Sequence, residues 1–304
     1  MTEGASYGPG EENEGPPERA EENGWRAETA GLPEKRRPSA ISINLEKERR
    51  ESDEDRHCHG ASSGMGREMV FRLADRYGGF QEIWVIGRRK ERLDALDGKV
   101  PVKLRKFPLD LTKKEDLEIL AAALAEKKPE VRFLVNAAGF GITGPVGSFP
   151  EEEAASMVQL NCEGLTAVTE LVLPYIPDNS RILQFASAAA FMPQPGFAVY
   201  AATKAYVLSY SRALGEELRR RRIFVTAVCP GPVDTEFFGK ALNGKPMDPF
   251  KRLFMARTKY VVDRAFSDCL KGKTVSVPGL SMKAFYVLCR ICPHSLLMKF
   301  LTWK

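Results

Sequence analysis

From Gly60 onward, short apolar runs alternate with amphipathic stretches, and this alternation limits the fold more than any other feature of the chain. Strand-like runs fall at Glu82–Ile86, Val102–Leu109, Val131–Val135, Arg181–Phe185, Ile223–Val228 and Thr274–Val277. Helical periodicity falls at Gly64–Tyr77, Lys113–Lys127, Glu151–Tyr175, Val199–Arg221 and Val261–Gly272. Strands separated by helices pair in parallel, because the crossover returns each strand in the same direction. A parallel sheet is covered on both faces, which suits runs such as EIWVI and VRFLV that are apolar on both. The expected fold is therefore α/β, a doubly wound parallel sheet of Rossmann type forming a single domain over residues 53–280. Residues 1–52 are rich in Glu, Gly and Pro and read as a disordered, non-native extension. Residues 281–304 read as an apolar, helical C-terminal tail.

Several residues carry chemistry. Tyr200 and Lys204 are four apart on one expected helix face, so both can point into one site. A nearby ammonium favours the phenolate and makes a phenol a usable acid or base. Ser187, thirteen residues upstream of Tyr200, can hold a substrate oxygen beside that phenol. Gly60-Ala61-Ser62-Ser63-Gly64-Met65-Gly66 opens the first helix, where glycines let the backbone approach a pyrophosphate. It also reads as a plain glycine-rich turn. After EIWVI come Gly87-Arg88-Arg89, with no carboxylate to hold a ribose 2′-hydroxyl. Two arginines suit a 2′-phosphate, which favours NADP(H) over NAD(H); a solvated loop is the plainer reading.

Asp110 ends the next strand, placed either to reach an adenine amine or to cap the following helix. In Asn136-Ala137-Ala138-Gly139, small residues leave room for a cofactor against the sheet edge. Asn161 is polar in an otherwise apolar helical stretch and needs a partner, whether structural or functional. Pro230-Gly231-Pro232-Val233-Asp234-Thr235 reads as a turn beside the site.

Six features in this order, the glycine motif, NAAG, the helix asparagine, the serine, Y-x-x-x-K and the PG turn, resemble the short-chain dehydrogenase/reductase family from Gly60 to about residue 280. The resemblance implies Tyr200 as catalytic acid, Lys204 as its pKa-lowering partner and ribose ligand, and Ser187 as carbonyl positioner. It implies that Asn161 holds a proton-relay water and that Val233 and Thr235 contact the nicotinamide amide. The implied reaction is hydride transfer between NADP(H) and a carbonyl or secondary alcohol, of the carbonyl reductase type. FMPQPGF at 191–197 and the apolar tail suggest a lipophilic substrate. Family likeness also favours a homo-oligomer.

That pattern needs an apolar strand and a threonine immediately before Gly60. The residues there are Asp53-Glu54-Asp55-Arg56-His57-Cys58-His59. Burying unpaired charges costs several kcal/mol each, against a total stability of about 5–15 kcal/mol. This stretch is expected to make a poor central strand, and a catalytically silent or misfolded chain is the competing reading. Ile41–Leu45 is strand-like but too distant to feed the turn. A codon choice exists for 53–59 whose frame one base later spells Met-Lys-Ile-Ala-Ile-Val-Thr, a start followed by the expected strand. Arg49-Arg50 can be encoded as a bacterial ribosome-binding sequence just upstream. A single-base frameshift joining residues 1–59 to the domain is the resulting expectation.

No apolar run approaches the length that spans a bilayer, and the acidic N-terminus has no secretory signal, so a cytoplasmic protein is expected. The six scattered cysteines fit reduced thiols, Cys289-x-x-Cys292 reads as packing and no metal is expected. Lys and Arg outnumber Asp and Glu by 45 to 40. The basic excess fits a phosphate-bearing cofactor, and with no aromatic stacking motif a nucleic-acid partner is not expected. The tail either closes a substrate pocket or makes a weak membrane-surface contact.

Overall fold

The structure, a computed structural model, describes residues 54–76, 81–242 and 254–302, with side chains outside positions 54–57, 240 and 300–302. The expected disorder of residues 1–52 lies outside the described residues. The core is a seven-stranded, all-parallel sheet. Its strands are β1 (Glu54–His59), β2 (Glu82–Ile86), β3 (Lys103–Phe107), β4 (Glu130–Asn136), β5 (Arg181–Phe185) and β6 (Phe224–Val228). A short pair, β7 (Val233–Asp234) and β8 (Ala256–Arg257), stands apart, and β9 (Val275–Ser276) completes the main sheet. The order is β3-β2-β1-β4-β5-β6-β9, a doubly wound Rossmann sheet.

Helices cover both faces. Met69 and Leu73 of α1 (Gly64–Arg76) pack with Val262 and Phe266 of a helix at Thr258–Leu270 on one side. On the other, α3 (Lys114–Lys127), α5 (Leu165–Val172) and α6 (Ala198–Glu217) bury Leu124, Val172 and Leu214 against Trp84, Leu134 and Ile182. A short α2 (Lys90–Asp94) follows β2, and α4 (Glu151–Val158) precedes α5. The expected continuous helix from Glu151 to Tyr175 is instead α4, a π-helical turn at Gln159–Gly164, α5 and a 3-10 turn at Leu173–Tyr175. Such π turns recur at functional sites, and Asn161 sits in this one.

The expectation that residues 53–59 make a poor central strand is not met. Residues 54–59 form β1, paired in parallel with β2 on one side and β4 on the other. A ladder is made by backbone N–H and C=O groups, which every non-proline residue supplies. The register slips only between Asp55 and Arg56 against β4. At the end that enters the domain, Cys58 and His59 are fully buried. Burial pushes the Cys58 thiol up to about 12, so it packs as a neutral apolar group.

Switching direction between β1 and β4 opens a crevice at the carboxyl ends of the strands, where ligands bind in sheets of this kind.

Candidate active site

The crevice is a solvent-open cleft. Gly60, Ser62, Ser63, Gly64 and Met65 form its floor, and Arg88, Arg89 and Asp110 one wall. Ala137, Ala138 and Gly139 form another, and Thr235 closes the far side. The local sequence explains the floor. Gly60 has φ +75°, and a Cβ there would lie 2.5 Å from the Ala138 amide nitrogen. Only glycine lets the two turns meet this closely. Gly66 lies in the first turn of α1, packed against the Gly60 carbonyl.

His59 ties these turns together. Its Nδ1 accepts the Ala138 N–H at 3.2 Å, while its buried Nε2 has no hydrogen-bond partner among the described residues. Burial pushes its pKa down to about 3, so the ring is neutral.

Arg89 reaches across the floor, donating to Ser63 Oγ at 3.2 Å and Ser62 Oγ at 3.4 Å. Arg88 lies 3.8 Å from Asp110. Asp110 accepts from the backbone and hydroxyl of Thr112, a local turn, and does not cap α3. Glu236 was not anticipated as a wall residue. It accepts two bonds from Arg92 of α2, at 2.6 and 2.7 Å. Phe140, Leu160 and Phe237 also line the cleft without having been singled out; Phe237 could have been found as a neighbour of Thr235.

The expected proton-transfer group assembles beside this cleft. Tyr200 is buried on α6, stacked on Phe197 with ring centroids 4.3 Å apart and tilted against Phe237 at 5.4 Å. Lys204 Nζ sits 5.8 Å from the Tyr200 ring centre and donates to the Phe185 carbonyl at 2.8 Å. A Cβ at Gly139 would come within 3.2 Å of that ammonium, so Lys204 projects to the turn that walls the cleft. Ser187 caps a 3-10 turn at Ala188–Phe191, and its Oγ accepts the Ala189 N–H at 3.1 Å.

The expected lowering of the Tyr200 pKa by Lys204 is not what the geometry gives. Burial raises the phenol to about 12, and only a hydrogen bond with the Ser187 hydroxyl works against it. Burial also lowers Lys204 to about 8. At neutral pH the phenol keeps its proton.

Asn161 is fully engaged. Its Oδ1 accepts the Phe140 N–H at 3.0 Å, and its Nδ2 donates to the Phe140 carbonyl at 2.8 Å and to Thr203 Oγ1 at 3.0 Å. The side chain therefore braces the loop after Gly139 against α6. Asn136 lies outside the cleft lining. It donates to Thr169 Oγ1 and Gln184 Oε1, both at 2.8 Å, inside the layer between sheet and α5. Pro230 accepts the Ala188 N–H at 2.8 Å, which joins the PG turn to the serine turn. Gly231 faces Met282, and Val233 is buried in β7, neither on the cleft lining.

The short chain dehydrogenase family model matches residues 58–245, more than half of the chain. The chain belongs to the short-chain dehydrogenase family. It is 32% identical over 183 residues to serine 3-dehydrogenase of Rhizobium radiobacter, covering 59% of this chain and 71% of that protein. Among solved structures, a short-chain dehydrogenase from Sphingobium yanoikuyae in complex with NADPH superposes with a TM-score of 0.68 at 27% identity, covering 82% of this chain and 97% of that one. A 3-ketoacyl-(acyl-carrier-protein) reductase from Brucella melitensis complexed with NADH gives 0.63 at 25%, covering 75% and 97%. As a member of this family the chain is an oxidoreductase acting on hydroxyl or carbonyl groups.

Proposed function

We propose that this short-chain dehydrogenase reduces a lipophilic ketone or aldehyde with NADPH. The observation that carries the reading is the pairing of a buried, protonated Tyr200 with Lys204, beside a cleft whose wall holds two arginines. The cleft fits a dinucleotide. Its floor lies at the N-terminus of α1, where backbone N–H groups and the helix dipole suit a pyrophosphate. Gly60, Ser62, Ser63, Gly64 and Met65 would hold the phosphates, Arg88 and Arg89 the 2′-phosphate, and Asp110 the adenine. Ala137, Gly139 and Thr235 would line the remainder, with Val233 behind Thr235.

Bound NADPH supplies the hydride. The chain's own residues manage the oxygen. Ser187 holds the carbonyl oxygen, and Tyr200 donates its phenolic proton to that oxygen as negative charge develops. Lys204 carries positive charge to the cleft and stabilises the phenolate that remains. Asn161 keeps the loop at Phe140 in place, so a relay water would have to use its backbone carbonyl. Phe197 and Phe237 give the substrate space an aromatic wall, which favours an apolar substrate. The test is NADPH oxidation against a panel of short and long-chain ketones, where faster turnover of the apolar members supports the reading.

The second reading, a silent chain, draws on β1. Its sequence, Glu-Asp-Arg-His-Cys-His, occupies the centre of the sheet. The frameshift proposal resolves the same anomaly. With the shifted frame, position 58 would carry Val where Cys58 is fully buried, and position 59 would carry Thr, whose hydroxyl can accept the Ala138 N–H. The codons for 53–59 decide it: if the frame one base later spells no apolar strand, the proposal fails. NADPH titration of the chain as written separates an enzyme from a silent protein.

A further inference from the structure

The helix at Leu280–Ile291 has two apolar faces. One packs inward: Phe285 and Tyr286 meet Phe191 with ring centroids 6.2 and 4.7 Å apart, and Cys289 is buried. The opposite face is bare. Leu280, Val287 and Ile291 recur at seven- and four-residue spacing on one stripe, and they are 83%, 54% and 73% exposed. Among the described residues eleven large apolar side chains are exposed, and five of them lie between 280 and 296, which makes this the chain's principal apolar patch.

Cations frame the stripe. Lys283 and Arg290 are exposed beside it, and Arg290 leans on the Tyr286 ring at 4.9 Å. After Asp268 the sequence has six Lys and Arg and no Asp or Glu. A two-fold contact with a second copy would set these cations against themselves. An anionic lipid surface offers acyl chains to the stripe and negative headgroups to the cations together. No helix among the described residues is long and apolar enough to cross a membrane.

We infer that this face seats the domain on an anionic membrane surface, with the Leu280–Ile291 helix lying in the interface plane. Leu280, Val287 and Ile291 enter the acyl boundary, and Lys283 and Arg290 meet the headgroups. The inference is independent of the reading of the active site, because its readout is binding and not turnover.

The test is flotation of the full chain with vesicles of phosphatidylcholine alone and of phosphatidylcholine with roughly one third phosphatidylglycerol. The expected result is binding to the anionic vesicles only, weakened by salt. Val287→Glu with Ile291→Glu removes it, and Lys283→Gln with Arg290→Gln weakens it about tenfold or more, at about 1 kcal/mol per cation. Should the glutamate pair lower the melting temperature, the glutamine pair decides, because both cations are exposed. Absence of binding to anionic vesicles overturns the inference. So does light scattering that shows the glutamate pair splitting a dimer, which assigns the face to a second copy.

Discussion

The His59 imidazole accepts the Ala138 amide through Nδ1 at 3.2 Å, and with the Ala137 N–H donated to the His59 carbonyl at 3.2 Å it joins the end of β1 to the turn that walls the cleft. The imidazole also makes the fold acid-sensitive. The folded ring has a pKa of about 3 because it is buried, against an ordinary 6.5. Between these values the unfolded chain binds a proton that the folded chain refuses, so stability falls as pH drops below about 6.5. At about 1.4 kcal/mol per pH unit, this site removes about 2 kcal/mol between pH 7 and pH 5. His59→Thr keeps an acceptor for Ala138 and removes that loss. Melting temperatures at the two pH values check this: the gap narrows in the variant, and an unchanged gap contradicts the assignment.

In the proposed mechanism, Lys204 trades stability for chemistry. Its folded pKa of about 8, against 10.5, corresponds to a burial penalty of about 3 kcal/mol at neutral pH, relieved only as pH rises from about 8 towards 10.5. Lys204→Met removes the penalty and orphans the Phe185 carbonyl, which costs about 1–3 kcal/mol. The variant is expected to melt at or above the wild-type temperature at pH 7 while losing ketone reduction. A clear fall in melting temperature would show that the ammonium is a net structural support.

The proposed preference for NADPH rests on the arginine wall. Arg89 crosses the cleft floor to Ser62 and Ser63. A charge-assisted bond contributes about 1.5–3 kcal/mol, so Arg89→Ala is expected to weaken NADPH binding about 10- to 100-fold and leave NADH nearly unchanged. Fluorescence titration with both cofactors measures the ratio, and equal losses for the two contradict a 2′-phosphate role.

Asn161 acts as a brace. Asn161→Ala leaves the Phe140 N–H and C=O without their partner and is expected to cost about 1–3 kcal/mol of stability. Chemical denaturation reads this directly. A variant with full stability and lost turnover would instead place the side chain in the reaction.

Much of this was legible because it is written in local pattern. EIWVI and VRFLV each gave a strand within one residue of the observed bounds, since apolarity on both faces permits no other use. Tyr200 and Lys204 share a helix turn, so four-residue spacing located them together. What escaped depended on distant partners. Asn136 looks like a cleft residue in sequence, but Thr169 and Gln184 draw it inward. Glu236 faces the cleft because Arg92, far earlier in the chain, meets it there. Tyr200 is raised, not lowered, because burial dominates and the Lys204 ammonium is committed to the Phe185 carbonyl. The π turn at Gln159–Gly164 has no signature in a helical period, and β1 is formed by backbone pairing against its own composition.

The central claim is that the Tyr200 phenol protonates the substrate oxygen. The most direct measurement is ketone-dependent NADPH oxidation by Tyr200→Phe, with NADPH binding followed in the same samples. Loss of turnover by about 10²–10⁴-fold with cofactor affinity retained is the expected result. Turnover close to wild type in the phenylalanine variant would contradict it.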